Sequence, residues 1–512
     1  MTSSLPLLLT GVAILWVIRC ALTYGHRTKN MPPGPPTLPF TGNLHQFPKG
    51  HSHIKFTEWA AKYGVTDRQL VKEVVERRSS IYSHRPDYYV SHDLITKGNH
   101  LLVMQYGDKW RTFRRLIHQH FMEPMVDSQH LDIVNAAEAI QLVRDYLVDP
   151  GAPHVASQAG LLLTGFSCSL WNPDIRTNWS KHGPPLQAHG GMVPDNGNRR
   201  NTHHQAIGAQ MQTLYTEILT KVIERRDKGQ NIGTFMDRIL DGQEKHQLPW
   251  DQLTFIGGVL MEGGSDTNSS LIIAIVQALV LSPHIQRKAH AEIDAVVGNT
   301  QSPVWSDLEH LPYINMIIKE GHRWRPVLPL CFPHALGEDD DWVAGKLLPK
   351  GTVVMINTWG MNMDPSQPHD PSKFIPERYQ HHPKLAPEYA AGGWENRDHY
   401  GFGVGRRICP GMHLAERNMF LSIAKLLWAF EFQPGRNDIV SDPVTGYRQG
   451  FLYCAKDYEC RPVVRSQSIR DTIESEYASA QSNVFSRFTE GCTGVMEKVN
   501  RSCDAFLFGV LA

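Results

Sequence analysis

The residues best suited to chemistry lie in one run, Phe402-Gly403-Val404-Gly405-Arg406-Arg407-Ile408-Cys409-Pro410-Gly411. Behind it, Leu414, Phe420, Leu421, Ile423, Leu426, Leu427 and Phe430 spread apolar groups over several turns, which predicts a mostly buried helix. Cys409 then sits just ahead of a helix N-terminus, with Pro410 at an early helical position where its missing N–H costs little. Unpaired N–H groups and the helix dipole favour an anion there, so the spacing predicts a Cys409 thiolate. Gly403, Gly405 and Gly411 allow sharp turns and a close backbone approach to something flat and bulky. Arg407, two residues before the cysteine, reaches an acidic group on that object. A thiolate, a close backbone and a cation together fit haem iron held by cysteine. The competing reading is a buried structural cysteine in a glycine-rich loop. A pattern that also fixes Phe402, Gly405, Arg407 and Gly411 around Cys409 weighs against it.

A second stretch, Gly263-Gly264-Ser265-Asp266-Thr267, falls in the middle of a long helix predicted over Asp251–Leu281. Two glycines inside a helix cost about 1 kcal/mol each. The cost makes sense if the helix opens locally and lets a small ligand approach its backbone. A hydroxyl beside a carboxylate then positions a water and relays protons. A simple glycine kink with polar groups facing solvent is the plainer alternative. Two pairs share helix faces: Trp110 with Arg114, four apart, and Glu320 with Arg323, three apart in a helix over Pro312–Trp324. Exposed, either pair would contribute little.

The cysteine loop resembles the haem-binding loop of the cytochrome P450 family. Gly263–Thr267 is similar to that family's oxygen-activating A/G-G-x-D/E-T motif. Trp110 and Arg114 resemble the W-x-x-x-R element that binds haem propionates, and His334 of Pro333-His334-Ala335 resembles another propionate-binding position. Glu320 and Arg323 resemble the E-x-x-R pair, which with Arg378 locks the core on the haem side. The resemblance covers most of the chain and implies the family's fold, mainly α with small β-sheets in a triangular helical prism. It implies haem b with Cys409 as axial ligand. Phe402, Arg407 and Gly411 would shape the cofactor site, with Trp110, Arg114, His334 and Arg407 on its propionates. Asp266 and Thr267 would deliver protons. The implied reaction is monooxygenation, inserting one oxygen atom of O2 into a small organic substrate. Details of the motifs look most similar to fungal members serving secondary metabolism, with an aromatic or polyketide-derived substrate. A reductase-independent isomerase or dehydratase is one alternative, and a disabled membrane protein is another.

The elements that must position these residues are legible in part. The chain has 512 residues, 41% apolar and 20% charged, with zero formal net charge, so nothing points to nucleic acid. Eight scattered cysteines with no C-x-x-C pair fit a reducing compartment. No G-x-G-x-x-G or Walker loop is present, so electrons must come from a partner. By resemblance that partner is a membrane-bound NADPH–cytochrome P450 reductase. Leu5 to Ile18 is almost wholly apolar, with Arg19, Arg27 and Lys29 only after it. This predicts a retained transmembrane helix with the rest in the cytosol. By resemblance the membrane is that of the endoplasmic reticulum. Residues 1–24 are thus read as anchor, 25–36 as a proline-rich hinge, 37–465 as the catalytic domain and 466–512 as a peripheral tail.

Two places depart from the family. A helix over His53–Tyr63 runs almost directly into another near Thr66–Glu73, leaving no room for the usual hairpin of roughly 10–15 residues. That predicts an unpaired edge on the strand over Thr352–Asn357. From Pro153 to Gln205, where the family's lid normally lies, no periodicity is visible and composition favours loop or disorder. Helical pattern returns near Ile207 and runs to Arg226. Together these departures point to a degenerate copy or an altered gene model, with haem binding intact but stability and coupling poor.

Overall fold

The computed structural model describes residues 4–488 except 25, 65–66, 134–138, 149–196, 338, 367–368, 449 and 451. It describes no side chains at 4–11, 133, 197–203, 265 and 487–488. The longer helices are α1 (Ser4–Thr23), α2 (Ser52–Tyr63), α3 (Asp108–Phe121), α4 (Ile140–Val148) and α5 (Gly197–Asp227). They continue as α6 (Trp250–Leu281), α7 (Pro283–Val296), α8 (Pro312–Trp324), α9 (Met412–Ala429) and α10 (Gln467–Asn483).

The helix behind the cysteine loop is the hub. Every residue of α9 from Arg417 to Ala429 is buried, and α4, α6, α7 and α8 all pack on it. Such an enclosed helix must be apolar nearly all round, which the sequence showed. Its two buried cations find partners: Arg417 bonds Asp127 and Glu123, and Lys425 lies 3.8 Å from Glu476 and bonds Ser302. Beside it, α8 meets α6 at Gly321, where an added Cβ would lie 2.6 Å from Ile275. The glycine between Glu320 and Arg323 therefore allows close helix approach.

Glu320 and Arg323 are buried rather than exposed. The guanidinium grips the carboxylate through Nε and Nη2 at 2.6 and 2.7 Å, and the Ile375 N–H donates to the same carboxylate at 2.7 Å. Arg378 approaches it at 3.4 Å, and Arg323 also donates to the carbonyls of Asn362, Pro371 and Lys373. One ion pair thus ties together Asn362, Pro371, Lys373, Ile375 and Arg378.

Among the described residues there are three two-stranded antiparallel sheets. Strands β1 (His334–Ala335) and β4 (Val353–Val354) pair with His334 opposite Val354. Strands β2 (Asp341–Val343) and β3 (Lys346–Leu348) form a hairpin around Ala344 and Gly345, both at positive φ. Strands β5 (Phe430–Pro434) and β6 (Cys460–Val464) pair over five residues.

Several expectations need correction. The strand over Thr352–Asn357 shrinks to Val353–Val354, and one of its edges is paired with β1. On its other side no strand pairs among the described residues, and Val353 is 45% exposed. The junction at Val65–Thr66 lies outside the described residues; on either side of it α2 ends at Tyr63 and the next helix starts at Arg68. The returning helix begins at Gly197, not near Ile207. Its first turns are polar all round, so no apolar period marks them, and no proline interrupts them. The rest of the unpatterned stretch, 153–196, lies outside the described residues. The first part of the tail is not peripheral: α10 puts Ile469 and Ile473 into the main core and packs on α4. Its apolar residues are few, so its buried stripe was hard to see. The long apolar helix α6 is mostly buried, as a core helix is. In α1 the side chains from Val12 to Ile18 are exposed.

Candidate active site

The loop carrying Cys409 is fixed by its own backbone. Gly403 and Gly405 sit at φ 72° and 64°, the left-handed region that favours glycine. A Cβ on Gly405 would lie 2.3 Å from the Val75 carbonyl, so only glycine fits. The Cys409 N–H donates to the Phe402 carbonyl at 2.8 Å. The first helical residue of α9 is Met412, with Gly411 as its cap, so Pro410 lies before the helix rather than in its first turn. A Cβ on Gly411 would meet nothing within 4 Å, which leaves open space beside the cysteine.

The expected thiolate is not produced by the protein alone. Burial pushes the Cys409 thiol up, and the Gly411 N–H and Arg114 oppose this without reversing it. A cationic metal at the sulfur would supply the missing stabilisation.

Three guanidiniums gather around this loop. Arg407 donates to the carbonyls of Ser83 (2.9 Å), Leu101 (3.2 Å) and Met104 (2.7 Å), and lies 4.4 Å from the Trp110 ring centre. Arg85, which sequence reasoning missed, donates to Leu102, Phe332 and Pro333 carbonyls. Arg114 is the cation felt by Cys409. Among the described residues no carboxylate pairs with any of the three. Burial, then the other two arginines, pushes Arg407 down to about 8, and burial pushes Arg85 down to about 9. Buried like charges without counter-ions are costly. The site is therefore short of negative charge, and a flat cofactor with carboxylates and a sulfur-bound metal fits the donors and the open space.

His334 joins the cluster from β1, and its Nδ1–H donates to the Tyr82 carbonyl at 2.8 Å. Burial and then Arg85 push it down to about 3, so it is neutral here and its Nε2 is an acceptor. It becomes a donor to a carboxylate only by gaining a second proton, which an adjacent anion favours. Trp110, Arg114, His334, Phe402, Arg407, Cys409 and Gly411 are thus brought into one neighbourhood.

Asp266 and Thr267 lie on α6, which packs on α9. The helix runs unbroken through Gly263 and Gly264. Loosening takes a milder form: Thr267 Oγ1 donates to the Gly263 carbonyl at 2.9 Å, and Ser269 and Ser270 both donate to the Asp266 carbonyl. Such back-bonding weakens and bends a helix. A Cβ on Gly263 would meet nothing within 4 Å, so the backbone there is open to a ligand. One turn before Asp266, Glu262 accepts from His100 Nε2–H at 2.9 Å, while the Leu102 N–H bonds His100 Nδ1 and fixes the tautomer. This pair, invisible in the sequence because its members are 162 apart, ties the segment that Arg407 grips to the helix carrying Asp266.

A family model for cytochrome P450 matches residues 32–159 and 192–458. The chain belongs to the cytochrome P450 family. Cytochrome P450 monooxygenase patH of Aspergillus clavatus is 66% identical, covering 96% of this chain and all of the relative. The protein of the same name from Penicillium expansum is 63% identical, with 95% and 99% covered. Cytochrome P450 monooxygenase acuC of Aspergillus aculeatus is 60% identical, with 93% and 97% covered. A solved zebrafish cytochrome P450, in a complex with progesterone, has a TM-score of 0.67 at 24% identity, covering 80% of this chain and 99% of that one. That likeness concerns the fold alone. This P450 is a monooxygenase with haem as its cofactor. The Aspergillus clavatus alignment spans 533 positions, and 96% of 512 residues fills only about 490 of them, so about forty positions have no residue here.

Proposed function

We propose that this P450 inserts one oxygen atom into a small aromatic or polyketide-derived molecule of fungal secondary metabolism. Thiolate-bound haem iron supplies the activation of O2. Cys409 holds the iron, and the cluster of arginines without carboxylate partners carries this assignment. Arg114, Arg407, Trp110 and His334 hold the two propionates. Phe402 and Gly411 shape the pocket beside the sulfur. Asp266 and Thr267 move protons from solvent to the open face of α6, where Thr267 Oγ1–H already holds the Gly263 carbonyl. Electrons come from an NADPH–cytochrome P450 reductase. Residues 1–24 anchor the chain in the endoplasmic reticulum membrane, 25–36 are a hinge, and residues from 37 onward face the cytosol. The exposed apolar side chains of α1 support the anchor.

The test is direct. Haem-loaded protein with reductase, NADPH and 18O2 should convert simple phenols or alkylphenols to products carrying one labelled oxygen. Conversion without NADPH would instead support the reductase-independent isomerase or dehydratase.

A second reading concerns efficiency. The family model skips 160–191, within the unpatterned stretch, and about forty aligned positions are missing. These gaps support poorer coupling, through weaker exclusion of water. Inserting the relatives' residues at the 65–66 junction should raise the melting temperature and the product formed per NADPH. Unchanged values would remove this reading.

A further inference from the structure

Behind Phe402 lies a small, partly open cavity of about 20 Å³, lined among others by Lys319, His322, His399, Phe402 and Glu416. That is room for one water with several polar neighbours. Glu416 belongs to α9, two turns after Cys409, and plays no part in the chemistry described above. Its Oε1 accepts the Ala386 N–H at 2.7 Å, while its Oε2 is shut off from solvent and has no partner.

The groups around it are already committed. From α8, Lys319 is paired with Asp398 at 2.5 Å, with its ammonium 4.8 Å from the Tyr389 ring of the helix Ala386–Ala391. His322 and His399 stack at 4.1 Å between ring centres and 7° between planes, and both are buried. Burial holds both imidazoles well below their ordinary range, so they stay neutral. On α9 itself, His413 is likewise pushed down by burial, and Arg417 is engaged by Asp127 and Glu123. Glu416 alone is set in the neutral range: burial pushes it up to about 7. The cavity adjoins the cysteine loop through Phe402, whose ring lies 5.3 Å from His322 and 5.5 Å from His399 and whose carbonyl holds the Cys409 N–H.

We propose that Glu416 takes up a proton from solvent when haem bound at Cys409 is reduced by one electron. The reductase supplies the electron to ferric iron. The proton adds to Oε2 of the carboxylate through a water that the cavity has room to hold, and no bond breaks in the protein. An electron placed near Cys409 adds negative charge to a low-dielectric region. A nearby carboxylate with one oxygen unpartnered then becomes a better base. Reduction and protonation favour each other reciprocally. The inference rests on the haem assignment above.

The test is the midpoint potential of the purified, haem-loaded protein against pH. In wild type it should fall as pH rises through about 7 and level off on either side, because the proton is lost above that range. Glu416→Gln keeps an oxygen for the Ala386 N–H but cannot titrate, so its potential should be flat at unchanged haem content. Should that variant fail to fold, electrochemical reduction of wild type in weak buffer with an indicator dye should show proton uptake, greatest near pH 7. A flat wild-type potential, no uptake, or an unchanged slope in Glu416→Gln overturns the proposal while leaving the haem assignment standing. Absence of a thiolate CO spectrum in wild type overturns both.

Discussion

The cysteine side and the Gly263 side of the site are built in opposite ways. Around Cys409 nearly every degree of freedom is removed: two left-handed glycines, one of them wedged against Val75, an N–H held by Phe402, and an arginine donating to three carbonyls. Around Gly263 the helix carries open space over one glycine and three hydroxyls bonded back to its own carbonyls. The first arrangement holds a ligand in one place; the second leaves room for small molecules to come and go. Cofactor retention and reaction outcome should therefore separate under mutation.

The largest expected effect is on the rigid side. Cys409→Ala should abolish the thiolate spectrum of the reduced, CO-bound protein; a surviving signal would mean another ligand holds the iron. Next comes the support behind it. Glu320→Ala leaves the buried Arg323 guanidinium without its carboxylate and should cost about 3–5 kcal/mol. Haem-free or insoluble protein is the expected yield, measured by haem per chain. If Arg407 holds a propionate as proposed, Arg407→Leu removes one charge-assisted contact, worth about 1.5–3 kcal/mol. Haem should then be lost roughly ten- to a hundredfold more readily to an apo-globin acceptor. On the open side, Thr267→Ala should leave haem content and the CO spectrum unchanged. Product per NADPH should fall by about tenfold, with peroxide rising in its place. If Thr267→Ala loses haem instead, the two sides are not independent and the contrast fails.

Sequence reading reached the rigid side further than the open one. The loop, Trp110, Arg114 and the Glu320–Arg323 pair are local patterns, each within a turn or a tight loop, so their resemblance to family motifs can be seen in the sequence. Arg85 and the His100–Glu262 pair owe their roles to partners far along the chain, and no periodicity marks such meetings. The burial that raises Cys409 was equally hidden: the helix N-terminus is local, whereas desolvation is a sum over the whole core. Helix α5 began earlier than expected because polar helical turns carry no apolar signal. The contribution of α10 was missed because only a few buried positions, Ile469 and Ile473 among them, decide it.

That late helix has a consequence for how the protein is made. Lys425, on the central helix, is fully enclosed, and its nearest carboxylate is Glu476. Translation delivers Glu476 some fifty residues after the lysine. At about 5–20 residues per second, the buried ammonium waits several seconds for its partner, and longer until residues 467–483 clear the ribosome. Until then the apolar wall that Ile469 and Ile473 complete stays open. The last of the longer helices thus acts as a closing seal: a released chain truncated near residue 464 would leave Lys425 without that carboxylate and an apolar trough open to the cell's quality control.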